Sequence, residues 1–256
     1  NSSRPTYGVA HGDWNDDGFQ DLFVCAYGRR WNNLWRNEGD GTFSEVGAST
    51  GFDGDADRSG EYPAGLRRAK EAPFRANGNS FSAAPADFDN DGDLDVYVGE
   101  ITHWWAGPSS DRSDLLVNLG PGENWRFSRE GEARGIVRRH GTDRWNQGDL
   151  HVGWLDFDND GLLDLIIASS DYPDDQFLRL YRQTPDHAFT DATKAAAFAW
   201  RNPTGISFGD FDRDGRVDIL TGTTNMRLTK EQKESRPLEA ALFRNVAAPG
   251  NHFLTV

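Results

Sequence analysis

Four times along 256 residues the chain lays down the same run of oxygen donors. The runs are "DWNDDGFQD" from Asp13, "DFDNDGDLD" from Asp87, "DFDNDGLLD" from Asp156 and "DFDRDGRVD" from Asp210. Counted from the first Asp, positions 1, 3, 5 and 9 are Asp13, Asn15, Asp17 and Asp21 in the first loop. They are Asp87, Asp89, Asp91 and Asp95 in the second, and Asp156, Asp158, Asp160 and Asp164 in the third. The fourth has Asp210, Asp212, Asp214 and Asp218. Position 6 is always glycine: Gly18, Gly92, Gly161, Gly215. Carboxylates at this density repel one another unless something gathers them. Oxygen donors at alternate positions around a glycine turn suit a hard cation that takes six to eight oxygens. The backbone carbonyl of position 7 (Phe19, Asp93, Leu162, Arg216) completes the expected donor set, and the side chains there vary freely.

The loops hold neither Cys nor His, which argues against zinc and copper. Calcium fits best, because magnesium demands stricter octahedral geometry and keeps several waters. An EF-hand would need a glutamate at position 12 between two helices. Here position 12 is Val24, Val98, Ile167 or Thr221, inside a strand-like run. A turn between strands does not require the Asp at position 9, so four in-phase copies are expected to bind about four Ca²⁺ ions. Such ions would bring the formal charge from −14 to −6.

The elements around the loops repeat as well. Short strand-like runs precede them ("TYGVAHG", "SFSAAPA", "DLHVGWL", "TGISFGD") and apolar runs follow ("DLFVCAY", "DVYVGEI", "DLIIASS", "DILTGTT"). A third run comes next ("NNLWRNE", "SDLLVNL", "QFLRLYRQ", "EAALFRN"), then an aromatic one ("GTFSEV", "WRFSRE", "HAFTDAT"). These segments are short, rich in β-branched and aromatic residues, and bounded by Gly, Asn and Asp. The first Asp recurs at steps of 74, 69 and 54 residues. The expected architecture is all-β: a β-propeller of four-stranded antiparallel blades, with units near 6–80, 81–147, 148–202 and 203–250. Two polar inserts, Asp53–Asn79 and Gly131–Gln147, interrupt the period, and they read equally as a binding face or as solvated decoration. "LTKEQKESRPLEAALF" predicts a helical turn or two.

The composition sets limits. Nine Trp and sixteen Phe mark a folding chain, despite 27% charged residues. A net charge of −14 disfavours nucleic acid and anionic membrane surfaces. No run of about eighteen apolar residues exists to insert in a membrane. Cys25, alone of its kind, lies in "DLFVCAY" and predicts a buried, inert thiol.

Catalytic signatures are weak. No Gly-x-Ser-x-Gly elbow, Walker loop or zinc-protease motif appears. His11 and His151 precede acidic loops and suggest packing. His103, His140 and Asp143 sit in loop-like sequence, and the chain is expected not to be an enzyme. Trp35 predicts a core residue. Trp104 and Trp105 read as a wedge between blades, or as an aromatic platform for a sugar or a partner protein.

On these residues the chain resembles FG-GAP/VCBS repeats, whose "DxDxDGxxD" loops bind calcium in integrin α-subunit propellers. "NNLWRNEGDGTFSEV" resembles more narrowly the secreted group related to cartilage acidic protein, in which such repeats precede an ASPIC/UnbV domain. The tail 251–256, within "NVAAPGNHFLTV", resembles the entry to that domain. The resemblance carries the calcium ligands onto the positions above, with Asn15 a neutral oxygen donor in place of Asp. It implies about seven blades in a ring. Four metal-bearing units leave open a partial ring, a fragment of a longer chain, or a small closed ring. The resulting expectation is a calcium-stabilised module outside the cytosol, whether extracellular, at the cell surface or periplasmic. It would bind another protein or an extracellular glycan in adhesion or assembly. A calcium-dependent lectin and a polysaccharide-active enzyme on the same scaffold are the alternatives.

Overall fold

The computed structural model describes residues 5–56, 78–103, 111–138, 146–170, 176–197, 200–225 and 228–246. The chain is all-β with antiparallel sheets, and it divides into two compact units. The first unit spans 1–133 and 137–147, and the second 134–136 and 148–256.

In the first unit, β1 (Thr6–Gly12), β2 (Asp21–Ala26), β3 (Asn33–Asn37) and β4 (Phe43–Glu45) form one sheet in chain order. A four-residue helical turn, α1 (Gly47–Thr50), follows. Next, β5 (Ser80–Ala86), β6 (Asp95–His103), β7 (Asp114–Asn118) and β8 (Phe127–Arg129) pair in the same succession. In the second unit, β9 (Asn146–Leu155), β10 (Asp164–Ser169), β11 (Leu178–Gln183) and β12 (Phe189–Asp191) repeat the pattern. The fourth repeat has three strands among the described residues: β13 (Pro203–Gly209), β14 (Asp218–Thr223) and β15 (Ala240–Phe243). The expected helical turn is α2 (Lys230–Ser235). It is opened by a capping box in which the Thr229 side chain accepts from the Gln232 N–H.

The second strand of each repeat is paired on both edges, and β10 is buried on both faces as well. Leu165, Ile166, Ile167 and Ala168 on β10 are fully buried. The first unit's core joins Trp14, Phe23, Leu34, Phe52, Val96 and Leu116. The second unit's core joins Ile166, Leu178, Leu180 and Ile219, with Phe157, Trp200 and Phe243 packed on it. Each fully buried aliphatic or Phe side chain stabilises by about 1.5–3 kcal/mol. Cys25 is buried as expected, and burial pushes its thiol pKa up. Trp35 departs from expectation: it is only half-buried, because strand alternation gives the core position to its neighbour Leu34.

All four first strands carry one extra residue, six residues before the first Asp of the loop in three of them and five before it in the fourth. The pairing skips Tyr7, Phe81, Leu150 and Gly205. A one-residue bulge sharpens the local twist. The glycines of these strands allow close packing: a Cβ on Gly8 would stand 2.4 Å from the Phe81 carbonyl oxygen. Among the described residues no helix is long and apolar enough to cross a membrane.

Candidate metal centres

Each acidic loop joins the first strand of a sheet to the second, so the position 9 Asp is also the first residue of β2, β6, β10 or β14. The four loops are built on one plan. The position 1 carboxylate accepts from the N–H of position 5 with one oxygen and of position 6 with the other. For Asp87 these distances are 3.1 Å from Asp91 and 3.1 Å from Gly92. Asp13, Asp156 and Asp210 repeat the pair of bonds. The position 5 carboxylate accepts from the N–H of position 7, at 2.9 Å for Asp91 and Asp93. Asp17, Asp160 and Asp214 do the same.

Two left-handed residues make this turn. Position 4 (Asp16, Asn90, Asn159, Arg213) has φ from 52 to 61°, and position 6 has φ from 83 to 95°. Space is open around a Cβ at Gly18, Gly92 and Gly161, so backbone conformation alone demands glycine there.

The position 9 carboxylate closes the loop. Asp95 Oδ2 accepts from the Phe88 N–H at 3.4 Å, and Oδ1 from the Asn118 N–H at 2.8 Å. Asp21 is held by Trp14 and Asn37, Asp164 by Phe157 and Gln183, and Asp218 by Phe211 and Asn245. All four position 9 carboxylates are buried. Burial pushes the Asp95 carboxyl up to about 8, against the two N–H bonds that stabilise its ionised form. Asp164 is pushed up to about 7 for the same reason, and Asp21 is raised. Buried carboxyls facing other carboxylates are the electrostatic situation that a bound cation relieves.

In three loops the carboxylates of positions 1, 3 and 9 bring an oxygen each within 4.8 Å of one another: Asp87, Asp89 and Asp95; Asp156, Asp158 and Asp164; Asp210, Asp212 and Asp218. These clusters could hold a metal ion. The position 5 residues Asp91, Asp160 and Asp214 stand outside the triads. In the first loop Asn15 takes position 3, and its Nδ2 donates to Asp17 Oδ2 at 2.8 Å. Two position 3 oxygens, Asn15 Oδ1 and Asp158 Oδ1, are buried and accept no hydrogen bond. Oxygens left in this way suit a cation ligand, so the donor set fits a hard divalent ion.

At position 7, the Phe19 ring covers Gly39, and the Arg216 guanidinium bonds Asp214 and the Asn245 carbonyl. Asp93 is raised, first by burial and then by the charges of Asp91, Asp16 and Asp87. His11 is exposed and bonds Gln20 at 2.8 Å. Trp104, Trp105, His140, Asp143 and the tail 251–256 lie outside the described residues, as does the His103 side chain.

Sequence reasoning missed the amide at or just past the end of each third strand: Asn37, Asn118, Gln183 and Asn245. Besides lending its N–H to position 9, each gives its side-chain NH₂ to the carbonyl of position 8. Asn118 also reaches the Trp14 carbonyl, at 3.0 Å, and Asn245 the Phe157 carbonyl, at 2.6 Å. The signal was visible as the amide recurring in "WRN", "LVN", "YRQ" and "FRN".

No curated protein matches the chain in sequence. Among solved structures, the chain is similar to a lectin of Agrocybe aegerita, described as recognising non-reducing terminal N-acetylglucosamine. The likeness has 18% identity and a TM-score of 0.42, and covers 85% of this chain. The chain spans 48% of that structure's length. The FG-GAP-like repeat model matches residues 13–64 and 156–221, which contain the first, third and fourth acidic loops. The chain carries FG-GAP-like repeats.

Proposed function

We propose that the four loops bind calcium, and that the chain serves as a calcium-stabilised β-propeller module outside the cytosol, binding or assembling with another protein. The observation that supports this most is the common plan of the loops: one hydrogen-bond network built four times, with three triads of converging carboxylates. In this reading calcium has no chemical step to perform. It neutralises a crowded set of carboxylates and pins the first strand to the second, so its binding free energy adds to folding free energy. Millimolar external calcium would keep sites of this kind filled. The kinship with the cartilage acidic protein group, a glycan as the alternative ligand, and the absence of catalysis belong to the same proposal.

The test is thermal unfolding with millimolar calcium and with excess EGTA. At about a hundredfold excess of calcium over its Kd, one site adds about 2.7 kcal/mol. Chelation is therefore expected to lower the Tm by many degrees. An unchanged melt would sink the reading.

A further inference from the structure

Strand alternation gives each repeat two faces. The front face holds the residue after the position 9 Asp with its third-strand partner: Val96 with Leu116, and Ile219 with Phe243. The rear face holds the residue after that with its own partner: Phe23 with Leu34, and Ile166 with Leu180. The seams within each unit join unlike faces. In the first unit Phe23 and Leu34 share a core with Val96 and Leu116. In the second, Ile166 and Leu180 share one with Ile219, and Phe243 packs on it. The position 2 aromatics Trp14 and Phe157 belong to the same seams. Their carbonyls accept from Asn118 and Asn245 of the repeat that follows.

One face of each kind stays open. The rear pair of the fourth repeat, Leu220 opposite Leu242, is 41% and 53% exposed. Phe211, the position 2 residue of that repeat, is 51% exposed, and among the described residues no following amide takes its carbonyl. On the first repeat the front pair, Leu22 opposite Trp35, is half-buried. Val9 beside that pair is 62% exposed, whereas Ala83 and Ile206 at the same register pack into seams. Asn37 gives its NH₂ to the Gln20 carbonyl of its own loop, at an exposed edge.

We infer that the rear face of the fourth repeat is a docking surface for the front face of the first repeat of a second copy of this chain. The inference rests on the assembly reading above, whose partner it names. A second copy fits because the chain carries both halves of a seam that it already builds twice. Leu220 and Leu242 take Leu22, Trp35 and Val9 as Phe23 and Leu34 take Val96 and Leu116. The Phe211 carbonyl takes the amide of the incoming Asn37. Unlike faces pair, so each contact leaves one face of each kind free and copies add head to tail. The charge of −14 opposes the approach of two copies, and salt and bound calcium weaken that repulsion.

The test is sedimentation velocity of the 256-residue chain in millimolar calcium and physiological salt, over about a hundredfold range of concentration. The mass is expected to rise with concentration above that of one chain. Leu242→Lys spoils the rear face alone and Val9→Lys the front face alone, and each should weaken association on the order of tenfold or more. Both positions are exposed, and an unchanged Tm in dilute solution verifies that each variant folds. An equal mixture of the two variants retains one intact face of each kind, so it should form a one-to-one pair and grow no further. A chain that stays monomeric throughout overturns the inference, as does association that survives both variants or a mixture that stays monomeric. If that monomer still melts earlier in EGTA, the calcium reading stands and only the proposed partner falls.

Discussion

The side-chain amide of Asn118 donates to the backbone carbonyl of Trp14, 104 residues earlier in the chain. The same Asn118 gives its backbone N–H to Asp95 in its own repeat. One residue thus holds two loops. In the second unit, Asn245 repeats both bonds with Phe157 and Asp218.

Asn118→Leu keeps the size and removes the NH₂. The Trp14 and Leu94 carbonyls then lose their partner in a buried place. The expected loss is about 1–3 kcal/mol, read as a lower urea midpoint at fixed m-value. Asn37→Leu, whose side chain caps only its own loop at an exposed edge, is expected to cost less. Equal losses for the two would count against the bridging role.

Glycines at two sites are required for opposite reasons. Gly8→Ala meets the Phe81 carbonyl oxygen at 2.4 Å in an ordinary strand conformation, and should cost about 1–3 kcal/mol through overpacking. Gly92→Ala meets nothing, and its cost of about 1–2 kcal/mol comes from φ +95° alone. Gly92→Asn, which tolerates positive φ, should recover part of the loss, and Gly8→Asn should not.

How much of this was legible in sequence varied with the kind of constraint. The position 9 Asp was legible because a charged residue opening an apolar strand has few other reasons to recur. The second-strand runs were legible because apolar residues follow each acidic loop at once, most fully on β10, where every residue is buried. The bulge was hidden: Tyr7, Phe81 and Leu150 share a backbone position and no side-chain property, and Gly205 bulges one residue nearer its loop. Trp35 was misplaced because strand alternation is read from a pattern, and "NLWRN" offers two large apolar residues side by side. Arg36, Arg182 and Arg244 repeat as letters before the third-strand amide, but Arg36 bonds Glu38 whereas Arg182 bonds Asp158 and Asp160 of its loop. Whether Arg36 meets Glu38 or a loop carboxylate depends on a turn that propensity does not describe.

A pH dependence follows from an acid pair remote from the loops. Glu100 and Asp111 are both buried, and Ser80 donates its hydroxyl to Glu100. Burial first, then the charge of Asp111, raises the Glu100 carboxyl well above its ordinary value. Burial also pushes Asp111 up to about 7, with Arg129 opposing and Asp55 adding to the rise. A carboxyl raised in the folded state ionises first in the unfolded chain. Stability is therefore full below about pH 4 and falls as pH climbs toward 7, by about 1.4 kcal/mol per unit and group. Urea unfolding at saturating calcium from pH 5 to 8 should show that fall, and Glu100→Gln should flatten it. Parallel profiles would refute the assignment.

Cys25 offers a reporter of opening. Its thiol is fully buried and burial raises its pKa, so thiolate forms only when the first sheet opens. Labelling by a disulfide reagent should be negligible in the folded protein with calcium and should speed up in EGTA. Fast labelling that ignores calcium would show that β2 opens independently of its loop.

The peptide groups flanking Trp14 and Phe157 serve two masters. Each N–H is committed to the position 9 carboxylate of its own repeat, and each C=O to the amide of the repeat that follows. A disturbance of the loop is thereby passed to the seam with its neighbour through a single amino acid. The unit that melts on chelation should then be the joint between successive repeats, with both partners loosening together, and the lone repeat would have no transition of its own.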